Sequence, residues 1–284
     1  MVKMREIDVS KIKEAVAELC IRANFELRTD VLAAIRGALK KETDSRAKGI
    51  LKSIIENARL ARGKRLAICQ DTGITVVFLE MGQDAAIAGG DLKEAIDDGV
   101  RDGYRRGYLR KSIVDDPLFS RKNTCDNTPA VVHVDIVKGD RLKITVLPKG
   151  SGSENKSAVK MFNPTAGLGE VKAFILETVK AAGPGACPPF VVGIGIGGTF
   201  DQATLLAKKA LLRPIDKRNP KRELARLEKD LVKDINALKI GPMGLGGKTT
   251  ALAVKVLDAP THITCLPVAV NINCHAARGA EKVL

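Results

Sequence analysis

The chain has 284 residues, 45% of them hydrophobic, so it can bury a substantial core and lies near the size at which one core divides into two. Its 47 basic and 33 acidic residues give a net charge of +14. That charge would suit nucleic acid, but only two tyrosines and seven phenylalanines are present and no basic run is interleaved with them, which argues against stacking-type single-strand binding. An anionic substrate or an acidic partner subunit would explain the charge equally well.

The sequence contains no basic start followed by an apolar segment and no long uncharged apolar run, so we expect neither a signal peptide nor a membrane span. Six cysteines without C-x-x-C pairs do not resemble a disulfide framework. We therefore expect a cytoplasmic protein whose thiols are reduced and can serve as soft metal ligands.

Apolar residues at helical spacing predict helices over most of residues 1–64. Thr29-Asp30 and Thr43-Asp44 are typical helix starts between these runs. From Leu66 onward short β-rich runs appear, so we expect a helical segment over residues 1–64 packed on an α+β region over residues 65–284. The two are expected to form one continuous domain.

The α+β region is predicted to begin with a strand at Ile74–Leu79 and a helix over about residues 91–108. Val132–Val137 and Leu142–Leu147, joined across Lys138-Gly139-Asp140, alternate with period two and predict a hairpin. The remaining predicted elements are helices at 170–182, 203–212 and 221–238 and strands at 190–196, 251–256 and 266–272. Because helices cluster first and a hairpin is present, the pattern favours an α+β fold over a doubly wound α/β fold.

Two glycine-rich segments invite a nucleotide-binding interpretation. Gly193–Gly198 satisfies G-x-G-x-x-G, but the acidic residue expected on a ribose, Asp216, follows a charged loop instead of a second strand. Gly241–Thr249 resembles a P-loop, but Pro242 occupies the position of its first glycine. We therefore disfavour both nucleotide interpretations, although such glycines allow the backbone to line another kind of site.

Three cysteines lie at predicted strand ends, one among polar residues of a turn, one just before a strand and one just after a strand, where burial as a small apolar side chain explains them poorly. They are Cys69, Cys187 and Cys274. Cys20 and Cys265 are assigned to packing, and Cys125 beside a predicted turn is left open. The three turn cysteines could bind one iron–sulfur cluster, which their wide spacing alone does not establish.

The sequence resembles the α subunit of class I, iron–sulfur-dependent fumarate hydratases, a family that also contains the tartrate dehydratases. The matching motifs run in order across most of the chain and are specific when taken together. They are Cys69–Gly73, Leu109–Pro117, Asn127–Pro129, Lys149–Asn155, Cys187–Pro189 with Gly193–Gly198, Gly241–Thr250, Pro260–His262 and Asn271–Cys274. One departure is Ser151, where we would expect the family's loop to carry a glycine.

The resemblance implies a [4Fe-4S] cluster held by Cys69, Cys187 and Cys274, with one iron left open to substrate. It also implies substrate contacts from the side chains of Gln70, Arg110 and His262 and from the backbone N–H of Gly152. Asp71 is the best acid–base candidate, with a turn cap as the alternative role. The role of His275 beside Cys274 is left open.

Single-chain members of the family continue into a second half, so the resemblance implies a separate β subunit and an α2β2 assembly. The expected reaction is the reversible hydration of fumarate to malate, with L-tartrate dehydration as the alternative. Two other classes remain: a basic nucleic-acid-binding protein, which would be colourless and salt-sensitive in binding, and a nucleotide-dependent enzyme, which would bind nucleotide saturably at a glycine segment.

Overall fold

The computed structural model describes residues 4–284. It shows helices together with mixed sheets, which confirms the predicted α+β class. Its α-helices are α1 (Val9–Phe25), α2 (Thr29–Lys41), α3 (Ser45–Lys64), α4 (Leu92–Arg106), α5 (Ser151–Glu154), α6 (Leu168–Ala182), α7 (Phe200–Ala210) and α8 (Arg222–Ala237). Its strands are β1 (Arg5–Asp8), β2 (Ile74–Gly82), β3 (Ala85–Ala88), β4 (Val131–Val137), β5 (Leu142–Lys149), β6 (Ala158–Phe162), β7 (Phe190–Gly197), β8 (Ala251–Ala259), β9 (Leu266–Asn273) and β10 (Ala280–Val283). Among the described residues, no helix is both long and apolar enough to cross a membrane.

Polar side chains begin the N-terminal helices as the sequence predicted. α2 starts at Thr29, and the Asp44 side chain accepts a hydrogen bond from the Ala47 N–H at 2.8 Å at the start of α3. The Asp8 side chain, which the sequence analysis did not single out, accepts from Ser10 N–H at the start of α1. These caps satisfy backbone donors that the first helical turn leaves unpaired.

Contacts between residues divide the chain into two compact units. Unit 1 comprises Met1–Arg28, Ala58–Ser151 and Arg278–Leu284, and unit 2 comprises Thr29–Asn57 and Gly152–Ala277. The predicted organisation, a helical segment over residues 1–64 packed on an α+β region over residues 65–284, stays a prediction. The units interleave because α1 packs on α4 and β5 within unit 1, whereas α2 packs on β8 within unit 2.

Unit 1 contains a four-stranded sheet in the order β10-β5-β2-β4, and β1 pairs separately with β3. Helices α1 and α4 pack closely together through two glycines of α4. A Cβ on Gly99 would lie 2.6 Å from the Lys13 carbonyl oxygen, and one on Gly103 would lie 2.8 Å from that of Ala17. The buried core of the unit joins these helices to β2 and β5.

The predicted hairpin of Val132–Val137 with Leu142–Leu147 is wrong, because β2 lies between β4 and β5. β2 is parallel to β4 and antiparallel to β5. The end of β2 inserts at the connection between them: Gly82 N–H donates to the Arg141 carbonyl at 2.8 Å, and Gln83 N–H donates to that of Val137 at 2.8 Å. A Cβ on Gly82 would lie 2.3 Å from the Gly139 carbonyl oxygen, so only glycine fits there.

Unit 2 contains a four-stranded sheet in the order β6-β9-β7-β8. Helices α6 and α8 contribute to a buried core with Val192 and Ile194 of β7. Successive strand residues face opposite sides, and α7 packs where Gly193 and Gly195 leave the backbone bare. A Cβ on either glycine would lie 2.1 or 2.0 Å from a carbonyl oxygen of α7. The glycines that suggested a dinucleotide motif thus allow a helix to approach the strand.

Candidate active site

The side of the unit 2 sheet where β7 begins and β9 ends, called the cysteine edge below, brings together two of the predicted cluster ligands. Strands β7 and β9 are antiparallel, with Val191 opposite Asn273, so the residues before β7 and after β9 share one edge. Cys187 lies just before β7, and Cys274 directly follows β9. Strand β8 is parallel to β7 and begins at the same edge. The strand register therefore gathers residues that are far apart in sequence.

Backbone hydrogen bonds join the segments that carry these two cysteines. The Cys187 carbonyl oxygen accepts from the His275 N–H at 3.2 Å and from its ring Nδ1 at 3.0 Å. Cys187 has a left-handed backbone with φ of 52°, and its N–H donates to the Pro184 carbonyl at 3.0 Å. Both cysteines are half-buried. His275, whose role the sequence left open, thus ties the turn of Cys187 to the end of β9 beside Cys274.

The glycine loop, residues Gly241–Thr250, packs against the turn that carries Cys187. Met243 N–H donates to the Pro188 carbonyl at 2.8 Å. Gly244 has a left-handed backbone, and a Cβ there would lie 2.3 Å from the Pro184 Cβ. The loop therefore touches prolines on both sides of Cys187, and these contacts explain its glycines without a bound nucleotide.

A buried carboxylate that sequence analysis missed holds the other end of the glycine loop. Glu42 is 2% exposed and accepts hydrogen bonds from the N–H groups of Thr43 at 2.8 Å, Asp44 at 3.0 Å and Lys248 at 2.7 Å. Burial raises the pKa of Glu42, but these hydrogen bonds outweigh burial and hold the pKa below its ordinary value. No local motif marks Glu42, since its partner Lys248 is distant in sequence.

Gly152, the predicted backbone donor to substrate, lies beside the same turn of unit 2. It is exposed, and a Cβ built on it would lie 3.8 Å from the Gly185 carbonyl oxygen. Glu154 and Ser157 follow Gly152 in the chain, and Asn271 of β9 donates through Nδ2 to Glu154 Oε2 and to Ser157 Oγ, each at 2.8 Å. These bonds hold the segment that follows Gly152 against β9.

The second candidate segment, in unit 1, is the turn Cys69–Gly73 between α3 and β2. Asp71 Oδ1 accepts a hydrogen bond from Gly73 N–H at 3.1 Å. Its Oδ2 accepts from the Ser151 N–H at 2.8 Å and from the Ser151 hydroxyl at 3.3 Å. Asp71 therefore caps its own turn, the alternative role considered from sequence, and also binds the loop that follows β5. Ser151, the departure from the expected glycine, supplies two of these donors.

Arg110 is tied to the same turn through its backbone. The Thr72 hydroxyl donates to the Arg110 carbonyl oxygen at 2.6 Å, and Thr72 is buried. Gln70 and Arg110 are exposed, and Cys69 is half-buried. Within residues 4–284, the Arg110 guanidinium makes no ion pair or hydrogen bond. Unit 1 thus groups Cys69, Gln70, Asp71 and Arg110, with an exposed cation available for an anionic ligand.

Arg278 is a buried cation of unit 1 that the sequence analysis did not single out. It is 3% exposed, and its Nη1 donates to Asn24 Oδ1 at 2.9 Å. A Cβ on Gly150 would lie 3.0 Å from Asp71 Oδ2 and 3.2 Å from Arg278 Nη2. Gly150 therefore leaves room for a carboxylate and a guanidinium on either side of it. The only signal in the sequence is an arginine set between alanines and a glycine shortly after Cys274.

His262 lies at the opposite end of the unit 2 sheet from Cys187 and Cys274. It follows the end of β8 and precedes the start of β9, where β7 ends. Eight strand residues span about 26 Å, so His262 does not share the cysteine edge within this unit. His262 and Cys265 line a surface pocket of about 450 Å³, and the His262 ring bonds the Thr264 hydroxyl through Nδ1 at 2.8 Å.

The predicted cluster ligands of unit 2 are thiols, and within the described part of the chain they do not form a ready-made site for a single metal ion. Among residues 4–284, no three His, Cys, Asp or Glu side chains converge closely enough to hold one metal ion. At the cysteine edge of unit 2 the two predicted ligands are thiols, the ligand type that iron–sulfur clusters use. Cys20 is fully buried in the unit 1 core, as predicted, and Cys125 is exposed.

Comparison with known proteins agrees with this arrangement of motifs. Residues 13–283 match the model of the family described as fumarate hydratase (fumerase). The chain belongs to that family. As a member of the fumarate hydratase family it is a hydro-lyase enzyme.

Two named relatives of this fumarate hydratase family member cover nearly the whole chain. A Methanocaldococcus jannaschii protein, provisionally named L(+)-tartrate dehydratase subunit alpha, is 43% identical over 279 residues, which are 96% of this chain and 97% of the relative. The L(+)-tartrate dehydratase subunit alpha of Escherichia coli K12 is 31% identical over 272 residues, covering 95% of this chain and 89% of the relative.

Proposed function

We propose that this chain is the α subunit of an iron–sulfur hydro-lyase that adds water to, or removes it from, a four-carbon dicarboxylic acid. The observation that carries the proposal is the joining of the Cys187 and Cys274 segments at one sheet edge through His275. The matched family favours fumarate hydration, whereas the names of the relatives favour L-tartrate dehydration. Both reactions transfer the elements of water at a carbon beside a carboxylate.

Cys69, Cys187 and Cys274 are the proposed ligands of a [4Fe-4S] cluster. The last two have support from the geometry of unit 2, and Cys69 rests on the family resemblance. When bound, a cluster with three thiolates supplies an open iron that acts as a Lewis acid toward substrate oxygens. We place the enzyme in the cytoplasm, where thiols stay reduced.

The chain's own residues divide the remaining tasks. Arg110 offers an exposed planar guanidinium that can bind a carboxylate through two hydrogen bonds, which lysine cannot match. Gln70 beside the proposed ligand Cys69 offers an amide, and the exposed Gly152 offers its backbone N–H. His262 stays a prediction as a substrate contact, because nothing at its end of the sheet supports that role.

Asp71 is the proposed acid–base group of this chain. An ionised carboxylate offers about four lone-pair positions, and the bonds from Gly73 and Ser151 use three of them. The bonds orient the carboxylate and leave capacity for a proton transfer. Because proton and hydroxide go to different carbons, a second group is needed, which we assign to a β subunit in an α2β2 complex. The relatives' names as alpha subunits support such a partner.

The test is anaerobic co-expression with the β partner, followed by assay on fumarate and on both tartrate enantiomers. We expect a brown complex that turns over at least one of these acids. Cys187→Ser and Cys274→Ser should each abolish the visible absorption after anaerobic reconstitution, whereas the exposed control Cys125→Ser should retain it. A full cluster in Cys187→Ser would disprove the ligand assignment.

A second arm tests whether the chain holds only half of the active site. The reconstituted α chain alone should bind iron and sulfide but show negligible turnover, which mixing with the β chain restores. Sustained turnover by the α chain alone, with mass spectrometry showing no β chain, would require a complete site within these residues.

A further inference from the structure

Strand β4 is an open edge of the unit 1 sheet. Among the described strands it pairs with β2 alone, and it spans seven residues. Its apolar side chains are unusually exposed for a strand: Val134 is 51% and Ile136 78% exposed, although Val132 at the start of the same face packs against the unit 1 core. The apolar face of the unit 1 sheet therefore extends along β4 past the residues that the unit 1 core buries.

The strand has few of the features that keep open edges from pairing. Soluble proteins usually place lysine, proline or a bulge on such strands. β4 reads Val-Val-His-Val-Asp-Ile-Val, without lysine, arginine or proline, and pairs with β2 without a break in register. Its two polar residues, His133 and Asp135, flank Val134. His133 stacks on Phe78 of β2 with ring centroids 5.1 Å apart, which fixes the face on which it lies.

The sequence of β4 is complementary to itself when it is reversed about Val134. In an antiparallel pair of identical strands centred there, His133 of each copy faces Asp135 of the other. Val132 then faces Ile136, and Val131 faces Val137. An imidazole can donate a hydrogen bond to a carboxylate opposite it, apolar pairs across strands are stabilising, and like charges are not. Centring the pair on Asp135 would instead oppose two carboxylates, so the register centred on Val134 is favoured over that one.

We propose that β4 is the surface through which two copies of this chain associate, by antiparallel pairing centred on Val134. The occupant is a second copy, because the side-chain pattern of the strand, a carboxylate opposite an imidazole and apolar residues opposite one another, complements itself about a two-fold axis, as an isologous interface requires. Two four-stranded sheets would become one eight-stranded sheet. The exposed apolar side chains of both copies would then cover one another.

Cysteine cross-linking tests the register. In a Cys125→Ser background, the full chain with Val134→Cys should form a disulfide dimer under mild oxidation, because residues directly opposite in an antiparallel pair have Cα atoms about 4.5–5.5 Å apart. Ile136→Cys alone is the matched control. It is more exposed, but it should form at least tenfold less dimer, and should cross-link only when mixed with Val132→Cys chains.

Exchanging the two polar residues tests the same interface without added thiols. His133→Asp or Asp135→His should each raise the dimer dissociation constant at least tenfold in sedimentation equilibrium, because the first opposes carboxylates at both positions and the second removes both acceptor carboxylates. The double variant restores both His–Asp pairs and should recover wild-type association, which a folding defect would not do. Equal cross-linking at 134 and 136, or a monomeric wild-type chain, would overturn the proposal. Loss of the 134 cross-link upon adding β chain would also overturn it, since β4 would then bind the β subunit.

Discussion

Removing the charge of Glu42 tests whether this carboxylate holds the glycine loop in place. In Glu42→Gln, the amide can turn its oxygen toward Lys248 N–H or toward the N–H groups of Thr43 and Asp44, but not both. An N–H group of the new side chain then faces a backbone N–H. A hydrogen bond to a charged acceptor contributes about 1.5–3 kcal/mol, and a buried unsatisfied donor costs about 1–3 kcal/mol.

We therefore expect Glu42→Gln to lower the free energy of unfolding by about 2 kcal/mol at pH 7. Glu42→Ala should cost about 3 kcal/mol, because it also leaves a cavity. Since folding lowers the pKa of Glu42, its contribution is present above the ordinary value of 4.5 and is lost as the pH falls toward the folded-state pKa. The difference between wild type and Glu42→Gln should shrink accordingly in acid.

Urea unfolding of the full chain, followed by circular dichroism, measures the free energy. Hydrogen exchange localises the effect, and we expect faster exchange in the glycine loop than in wild type, with α1 and α4 unchanged. Glu177→Gln makes the same chemical change at an exposed position of α6 and should stay within about 0.5 kcal/mol of wild type. A Glu42→Gln effect inside that range, or unchanged exchange in the loop, would refute the role of Glu42.

Three further predictions address packing, acid stability and thiol reactivity. Gly195→Ala places a Cβ 2.0 Å from the Ala203 carbonyl oxygen and should lower the free energy of unfolding by about 3 kcal/mol or more. Gly37→Ala in α2, with open space around it, should raise that free energy by about 0.5–1 kcal/mol. Equal effects of the two variants in urea unfolding would contradict the close approach of α7 to β7. Burial raises the pKa of Asp126, but hydrogen bonds from backbone and side-chain donors lower it to about 2, so Asp126→Asn should lose stability above pH 4 and little below pH 2 in acid titrations. Burial raises the pKa of Cys20 to about 12, so mass spectrometry after alkylation of the native chain at pH 8 should find Cys125 modified and Cys20 intact.

The long helices and six of the ten described strands followed from the sequence because apolar periodicity and capping residues are local signals, whereas the short β1, β3, β6, β10 and α5 were not predicted. α6, predicted from residue 170 to 182, spans Leu168–Ala182, and β7, predicted from 190 to 196, spans Phe190–Gly197. Pairing did not follow, because it depends on contacts between distant segments. The turn at Lys138-Gly139-Asp140 suggested a hairpin, and nothing near it in sequence shows that Gly82 inserts there.

The candidate site was predictable to a similar extent. Cys187 and Cys274 were placed at strand edges from local pattern and family resemblance, but the register that puts both at one edge is non-local. The bonds of Asp71 to Ser151 and the burial of Arg278 depend on the same kind of contact. The position of His262 at the other end of its sheet could have been anticipated, since it precedes strand β9, whose far end leads to Cys274.

The interleaving of the two units along the chain has a consequence for synthesis. The polypeptide passes from one unit to the other at four points, near residues 28, 57, 151 and 277. A ribosome therefore completes all of unit 2 before it makes β10, the strand that lies beside β5 in unit 1. Unit 1 cannot complete its sheet until β10 is available, and that side of β5 stays uncovered until then. Unit 2 lacks no segment once residue 277 has emerged. Released chains truncated after residue 277 should accordingly carry a protease-resistant unit 2 and a protease-sensitive unit 1.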